Sequence, residues 1–158
     1  MHPMKLRNII LACSLLGLTT MSVTASEFDQ YLQEKKIIDT HFKIINKAEL
    51  NDLLKVLSAE DSKTFPLQID HNTIIEKLEI DSEKTVLTGL IITPDFSQFE
   101  QDLGRKEVTK LIRKNLLNNC NIFFEHEYQR HNPYRIELHL NSTDTNYSID
   151  LSQKDCQF

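Results

Sequence analysis

The features that mark fibrous, low-complexity or membrane-spanning chains are rare or absent in this sequence. Its 158 residues include no tryptophan, three glycines and four prolines. So little glycine and proline excludes a fibrous or low-complexity chain. No apolar run approaches the roughly 20 residues that a membrane-spanning helix requires. With 40% hydrophobic and 26% charged residues, the composition indicates one globular domain.

Local signatures of catalysis are also missing. The sequence contains no nucleophile elbow, phosphate-binding loop, dinucleotide fingerprint or H-E-x-x-H zinc motif. It contains no C-x-x-C pair either. These absences remove the common mechanisms that leave a local pattern, although they do not exclude enzymes as a class. We therefore expect a non-enzymatic protein with no catalytic residues, no metal and no cofactor.

The first 25 residues have the composition of an export signal. Lys5 and Arg7 precede an apolar stretch over residues 9–18, and small residues surround Ala25. This order is typical of a secretory signal peptide. We expect cleavage after Ala25, leaving residues 26–158 as a single periplasmic domain. The alternative is an uncleaved segment that anchors the protein in the inner membrane. A lipidated Cys13 is disfavoured, because few apolar residues precede it.

Charge limits the partners of the exported domain. Removing Lys5 and Arg7 leaves 16 basic against 23 acidic residues, a formal net charge of −7. An acidic domain is repelled by phosphate backbones and by anionic lipid. We therefore expect no nucleic-acid partner and no binding to an anionic membrane surface.

Cysteine usage agrees with export. After cleavage two cysteines remain, Cys120 and Cys156. An even number in an exported chain predicts a disulfide. A redox or metal pair is the alternative, and the lack of a C-x-x-C spacing disfavours it.

The first two thirds of the domain alternate between helical and extended patterns. Apolar spacings of three and four predict a helix over 27–45, whose second half also fits a strand. Asn46, with Glu49 three residues later, predicts the start of a second helix that ends near Ser58. Three further elements follow: strands over 73–80 and 85–93, and a helix over 96–118 that Gly104 bends or splits.

The last third shows strict alternation of apolar and polar residues. Three segments, 122–128, 134–140 and 147–151, have the period of two that a half-buried strand requires. They predict an antiparallel meander whose two ends a Cys120–Cys156 bridge would pin. With the earlier hairpin, the fold expected is α+β: about five antiparallel strands, helices packed on one face, and one disulfide.

His126 lies in the densest ionisable cluster, between Glu125 and Glu127. On a strand it shares a face with Phe124, so a core-edge histidine with one hydrogen bond is the default interpretation. The second is pH sensing, because histidine titrates near pH 6.5 and burial disfavours its charged form. A metal site with His131 and His139 is disfavoured, since alternation points His139 the other way.

Other polar and aromatic residues have simple structural explanations. We expect the acids near element ends to be solvated turn and cap residues, and three tyrosines to pack in the core or to line a cavity for a small apolar ligand. The acids are Asp70, Asp81, Glu83 and Asp95, and the tyrosines are Tyr128, Tyr134 and Tyr147. The unpaired edges of a small sheet, and the apolar helix over 27–45, favour a module that binds a partner protein.

The layout resembles two groups of periplasmic accessory proteins of Gram-negative bacteria. The shared features are the signal, amphipathic helices, the step from Pro66 to Asp70, and a meander between Cys120 and Cys156. One group comprises the partners of membrane-bound transcription regulators, of the MyfF, PsaF, ToxS and VtrC type, some from fimbrial operons. The other comprises the disulfide-bearing pilotins of type II secretion. The first implies binding and protecting a regulator's periplasmic domain, sometimes with signalling of pH or bile salts. No site residue follows from either.

The functional expectation is a non-enzymatic periplasmic accessory protein, a hetero-oligomeric partner of a membrane protein with a periplasmic domain. In the leading version that membrane protein is a transcription regulator of fimbrial or virulence genes. The alternatives are an assembly factor or pilotin-like chaperone of a pilus or secretion system, and a periplasmic inhibitor or immunity protein.

Overall fold

The computed structural model describes residues 26–158. The predicted signal peptide, residues 1–25, lies outside the described residues, and its cleavage stays a prediction. Within the described part, no helix has the length and apolar character to cross a bilayer.

A five-stranded mixed sheet organises the domain, with strand order β1-β2-β3-β4-β5. Three neighbouring pairs are antiparallel, and β3 with β4 is parallel. The predicted α+β class, strand number and disulfide are thus confirmed, while the expectation of a wholly antiparallel sheet is corrected at one pair. The strands are β1 (Leu67–Gln68), β2 (Thr73–Ile80), β3 (Lys84–Ile91), β4 (Arg135–Asn141) and β5 (Asn146–Ser152).

Six helices accompany the sheet in the described residues. Their apolar sides and the inward sheet face form one core, in which Leu32, Leu50, Phe124, Ile136 and Leu151 are fully buried. The helices are α1 (Glu27–Glu34), α2 (Lys47–Asp61), α3 (Phe96–Leu103), α4 (Arg105–Asn118), α5 (Cys120–Phe123) and α6 (Glu127–His131), and 3₁₀ turns occur at Ser62–Thr64 and Gln153–Asp155.

Two local predictions about helix ends are confirmed. The Asn46 side chain accepts a hydrogen bond from the Glu49 amide and donates one to its carboxylate, so α2 begins after Asn46. Gly104 separates α3 from α4 with a φ of 85°, which a residue with a Cβ adopts only with strain.

The prediction of a first meander strand over 122–128 is wrong. Residues 122–128 belong to α5, a short link and α6, and Ile122 is 70% exposed while Phe124 is fully buried. The chain therefore crosses from β3 to β4 through helices, and such a long connection allows parallel pairing. The fifth strand is the short β1 instead. The hairpin of β4 and β5 forms as predicted.

The first predicted helix is shorter than its apolar pattern. α1 ends at Glu34, and Lys36 and Phe42 have positive φ values of 57° and 61°. The second half consists of turns closed by an isolated bridge between Ile38 and Ile44, so the strand that the pattern also allowed is not formed.

The predicted disulfide is present. Cys120 begins α5 and Cys156 follows the final 3₁₀ turn, with Cα atoms 5.9 Å apart. The bridge ties the helical crossover, rather than a first meander strand, to the end of the chain.

Candidate functional site: an apolar groove

An open groove lies between the sheet and the helices that follow β3. Its floor is the inward sheet face, including Ile75, Leu87 and Leu138. One side is the segment 65–70, which contains β1, and the other is formed by α3, α4 and α5.

The groove exists because the helices cover the sheet incompletely. α2 packs against β2, and the Ser58 hydroxyl accepts a hydrogen bond from the Ile80 amide at one end of that strand. The opposite end, near Thr73, faces the groove instead. The short β1 adds only a two-residue ladder there, pairing Leu67 with Ile75.

The groove is large and its rims are apolar. Its volume is about 1080 Å³. Apolar side chains on both sides remain exposed to solvent, from 44% at Phe99 to 70% at Ile122, with Leu67, Ile69 and Leu111 between these values. A continuous exposed apolar surface of this kind marks an interaction site more often than scattered exposed residues do.

Charge in the groove has one sign. Of its 26 lining residues three are aspartates, Asp70, Asp95 and Asp102, and none is lysine, arginine or histidine. All three are exposed. Asp70 accepts a hydrogen bond from the Asn72 amide and Asp102 accepts one from Gln98. None of the three forms an ion pair with a described residue.

One of the two sheet edges, at β5, is less open than the sequence suggested. Along the edge strand β5, the Arg105 and Arg113 guanidiniums donate to the backbone carbonyls of Asn146 and Asp150. A guanidinium held against each of these carbonyls obstructs the approach of an added strand, so these arginines protect this edge from pairing. At the opposite edge, β1 pairs with only Ile74 and Ile75 of β2, which spans Thr73–Ile80.

His126 lies elsewhere, at the N-terminus of α6. Its Nδ1 is 2.9 Å from the Ser26 hydroxyl and 3.9 Å from Oδ2 of Asp29. The ring stacks on Tyr128 at 6.0 Å and contacts Phe28 at 4.9 Å. The side chain is 24% exposed, so it lies at the core edge but on a helix cap rather than a strand. Its role as a pH sensor stays a prediction.

Asp29 holds this region together. It is fully buried, and its carboxylate accepts hydrogen bonds from the amides of Glu127 (2.9 Å) and Tyr128 (3.2 Å) and from the Ser26 hydroxyl (2.6 Å). A carboxylate at a helix N-terminus satisfies amides that lack partners within the helix. Asp29 therefore caps α6 from α1.

The three tyrosines line no part of the groove. Tyr128 and Tyr134 pack edge to face in the core at 6.0 Å, and Tyr134 shares a hydrogen bond with Thr85. Burial raises the pKa of both phenols, and it raises the pKa of Tyr147 to about 12. All three side chains are buried, which matches the core interpretation, and Tyr147 also borders a smaller polar cavity with Arg105 and His139.

The four acids singled out in the sequence lie in two parts of the fold, the β2–β3 turn and the groove. Asp81 accepts from the Glu83 and Lys84 amides in the β2–β3 turn, and Glu83 pairs with Lys47. Asp70 and Asp95 instead line the groove. In the described chain, no three His, Cys, Asp or Glu side chains lie close enough together to hold a metal ion.

The groove does not follow from the sequence pattern. The period-two pattern over 122–128 predicts Ile122 on a buried face, whereas the side chain is 70% exposed. One signal was present: the run from Phe65 to Ile69 has more apolar residues than a two-residue strand uses. Amphipathic periodicity identifies an apolar face but does not show whether this chain or another covers it.

Comparison with known proteins assigns no family. No protein-family model matches the chain, and no curated protein matches it. Among solved structures, a "putative secreted protein" from Pseudomonas aeruginosa is similar, with a TM-score of 0.47 and 11% identity over 72% of this chain and 97% of that one. A similarity of this size assigns neither a family nor a function.

Proposed function

We propose that the protein is an exported, non-enzymatic accessory protein that binds another protein through the apolar groove. The observation that carries this proposal is the apolar surface of the groove, which extends from the sheet floor to the exposed rims at Ile122 and Ile69. The disulfide supports export, because such bonds persist in oxidising compartments.

A protein segment suits the groove better than a small molecule. Pockets for small ligands enclose most of the ligand's surface, whereas the rims of this groove remain exposed at Ile122 and Ile69. Exposed rims offer contact area beyond the cavity, which only a larger partner covers. A small apolar ligand is the second candidate, favoured by the floor of Ile75, Leu87 and Leu138.

In the leading form of the proposal, the partner is a membrane protein with a periplasmic domain. The leading form is a membrane-bound transcription regulator that the accessory protein stabilises, and the alternatives are an assembly factor of a pilus or secretion system and a periplasmic inhibitor. All three require a protein contact surface and no catalytic constellation, so the groove supports them alike. Identification of the bound protein distinguishes them.

The test is affinity capture from a membrane extract with a matched pair of variants. Ile122→Asp places a charge on the groove rim at a side chain that is 70% exposed, and Val56→Asp does so on α2, where the side chain is 61% exposed and lies outside the groove. Neither change removes a buried side chain, so both variants should fold. Wild type and Val56→Asp should retain the same membrane protein with a periplasmic domain, and Ile122→Asp should lose it.

Equal retention by all three proteins would contradict the groove as the contact surface. Capture of no membrane protein would contradict the accessory role. Co-purification of a small apolar molecule, displaced by Ile122→Asp, would favour the second candidate.

A further inference from the structure

We infer that the occupant of the groove is a cationic amphipathic segment of the partner, with apolar side chains on the floor and lysine or arginine at the rim. This inference rests on the proposed function and specifies the partner's chemistry. It follows from the combination of an apolar floor with three carboxylates, Asp70, Asp95 and Asp102, and no basic lining residue.

The basic residues nearest in sequence are directed elsewhere. Arg105, three residues after Asp102, donates to the Asn146 carbonyl and lies 5.6 Å from the Tyr147 ring centroid. The other basic residues of α4 are also paired or lie outside the groove.

Arg113 pairs with Asp155. Lys110 pairs with Glu107, and the other two basic residues of α4, Lys106 and Lys114, do not line the groove. The negative charge of the groove is therefore not neutralised by lining residues of the described chain.

This charge discriminates among apolar occupants. Anionic amphiphiles and anionic lipid surfaces would bring negative charge against the three aspartates. A second copy of the domain carries the same net charge of −7 and brings the same repulsion. A basic amphipathic helix, by contrast, satisfies both the floor and the rim, as helix-in-groove recognition requires.

Two of the carboxylates lie near the ends of α3. Asp95 precedes α3 with a left-handed φ of 59°, and Asp102 lies near the end of that helix. A partner helix lying alongside α3 would place basic side chains near both ends of α3.

The first experiment uses two model peptides of about 18 residues, long enough to form a helix on binding. They share the same leucine positions, and the polar positions are lysine in one and glutamate in the other. Fluorescence anisotropy with protein isolated from cells should show the lysine peptide binding about tenfold more tightly, the effect expected of three exposed charge pairs. High salt should reduce the preference.

The second experiment changes the protein. Replacing the three groove aspartates by asparagine should remove most of the tenfold preference, while a control with three exposed acids changed outside the groove keeps it. The test variant is Asp70→Asn, Asp95→Asn and Asp102→Asn, and the control is Glu34→Gln, Asp52→Asn and Asp61→Asn.

The groove itself is tested by Ile122→Asp, which adds negative charge and yet should weaken binding of the lysine peptide. Weaker binding then reports the apolar contact, because simple attraction to an acidic protein would increase. Val56→Asp should bind as wild type does.

The outcomes separate the inference from the proposed function. Equal binding of both peptides, or binding to vesicles of anionic phosphatidylglycerol in place of peptide, would overturn the cationic occupant. Binding of neither peptide would overturn it too. The proposed function would survive each result if membrane capture still depended on Ile122 and not on Val56.

Discussion

Replacing Asp29 by alanine should destabilise the domain severely, although Asp29 does not line the apolar groove. Its fully buried carboxylate accepts the amides of Glu127 and Tyr128. Alanine leaves both buried amides without a partner, at about 1–3 kcal/mol each. The amides share one cap, and losing a cap alone costs about 0.5–2 kcal/mol. We therefore expect a loss of about 3 kcal/mol, a large share of the about 5–15 kcal/mol available to a domain.

Urea unfolding at neutral pH with the disulfide intact measures this loss. Asp29→Asn keeps one acceptor oxygen but directs an NH₂ donor at the other amide, so it should also destabilise the domain. Glu34→Ala, at the exposed end of the same helix, should stay within about 0.5 kcal/mol of wild type. A loss below about 1 kcal/mol for Asp29→Ala would refute the capping role.

Three further outcomes follow from the same structure. Serine at both Cys120 and Cys156 should lower the free energy of unfolding by about 4 kcal/mol, from the 36-residue separation that the bridge closes; an unchanged urea midpoint would contradict this. A hydrogen bond from Arg135 lowers the pKa of Glu137. The stabilisation that Glu137 contributes is therefore present above the pKa of an unfolded-chain glutamate, and it is lost as pH falls through the lowered folded pKa. Glu137→Gln should reduce the pH dependence of the urea midpoint between about pH 3 and 6, and an unchanged pH dependence would count against this role. The pH-sensing hypothesis expects His126→Gln to change the pH dependence of thermal stability between about pH 5 and 7.5, and equal dependence would reject it.

Features governed by neighbouring residues were predictable. The Asn46 cap depends on Glu49 three positions away, and the break at Gly104 depends on one residue's freedom at positive φ. The β4–β5 hairpin and the cysteine pair follow from alternation and from residue count. Each of these features is determined by residues a few positions apart in the chain or by the number of residues of one type.

Features governed by distant residues were not predictable. Residues 122–128 alternate as a strand does, yet Asp29, 98 positions from Glu127, caps a helix there. The parallel β3–β4 pair follows from that helical crossover. The groove depends on where α2 stops covering β2, which no local pattern specifies. Apolar periodicity placed Ile122 inside, although it is 70% exposed.

Site-specific photo-crosslinking in living cells tests the groove most directly. A crosslinking amino acid at position 122 samples the groove rim, and one at position 56 samples an exposed surface of α2 outside the groove. We expect a single membrane-protein adduct from position 122 and none from position 56. The same adducts from both positions, or no adduct from position 122, would contradict a partner seated in the groove.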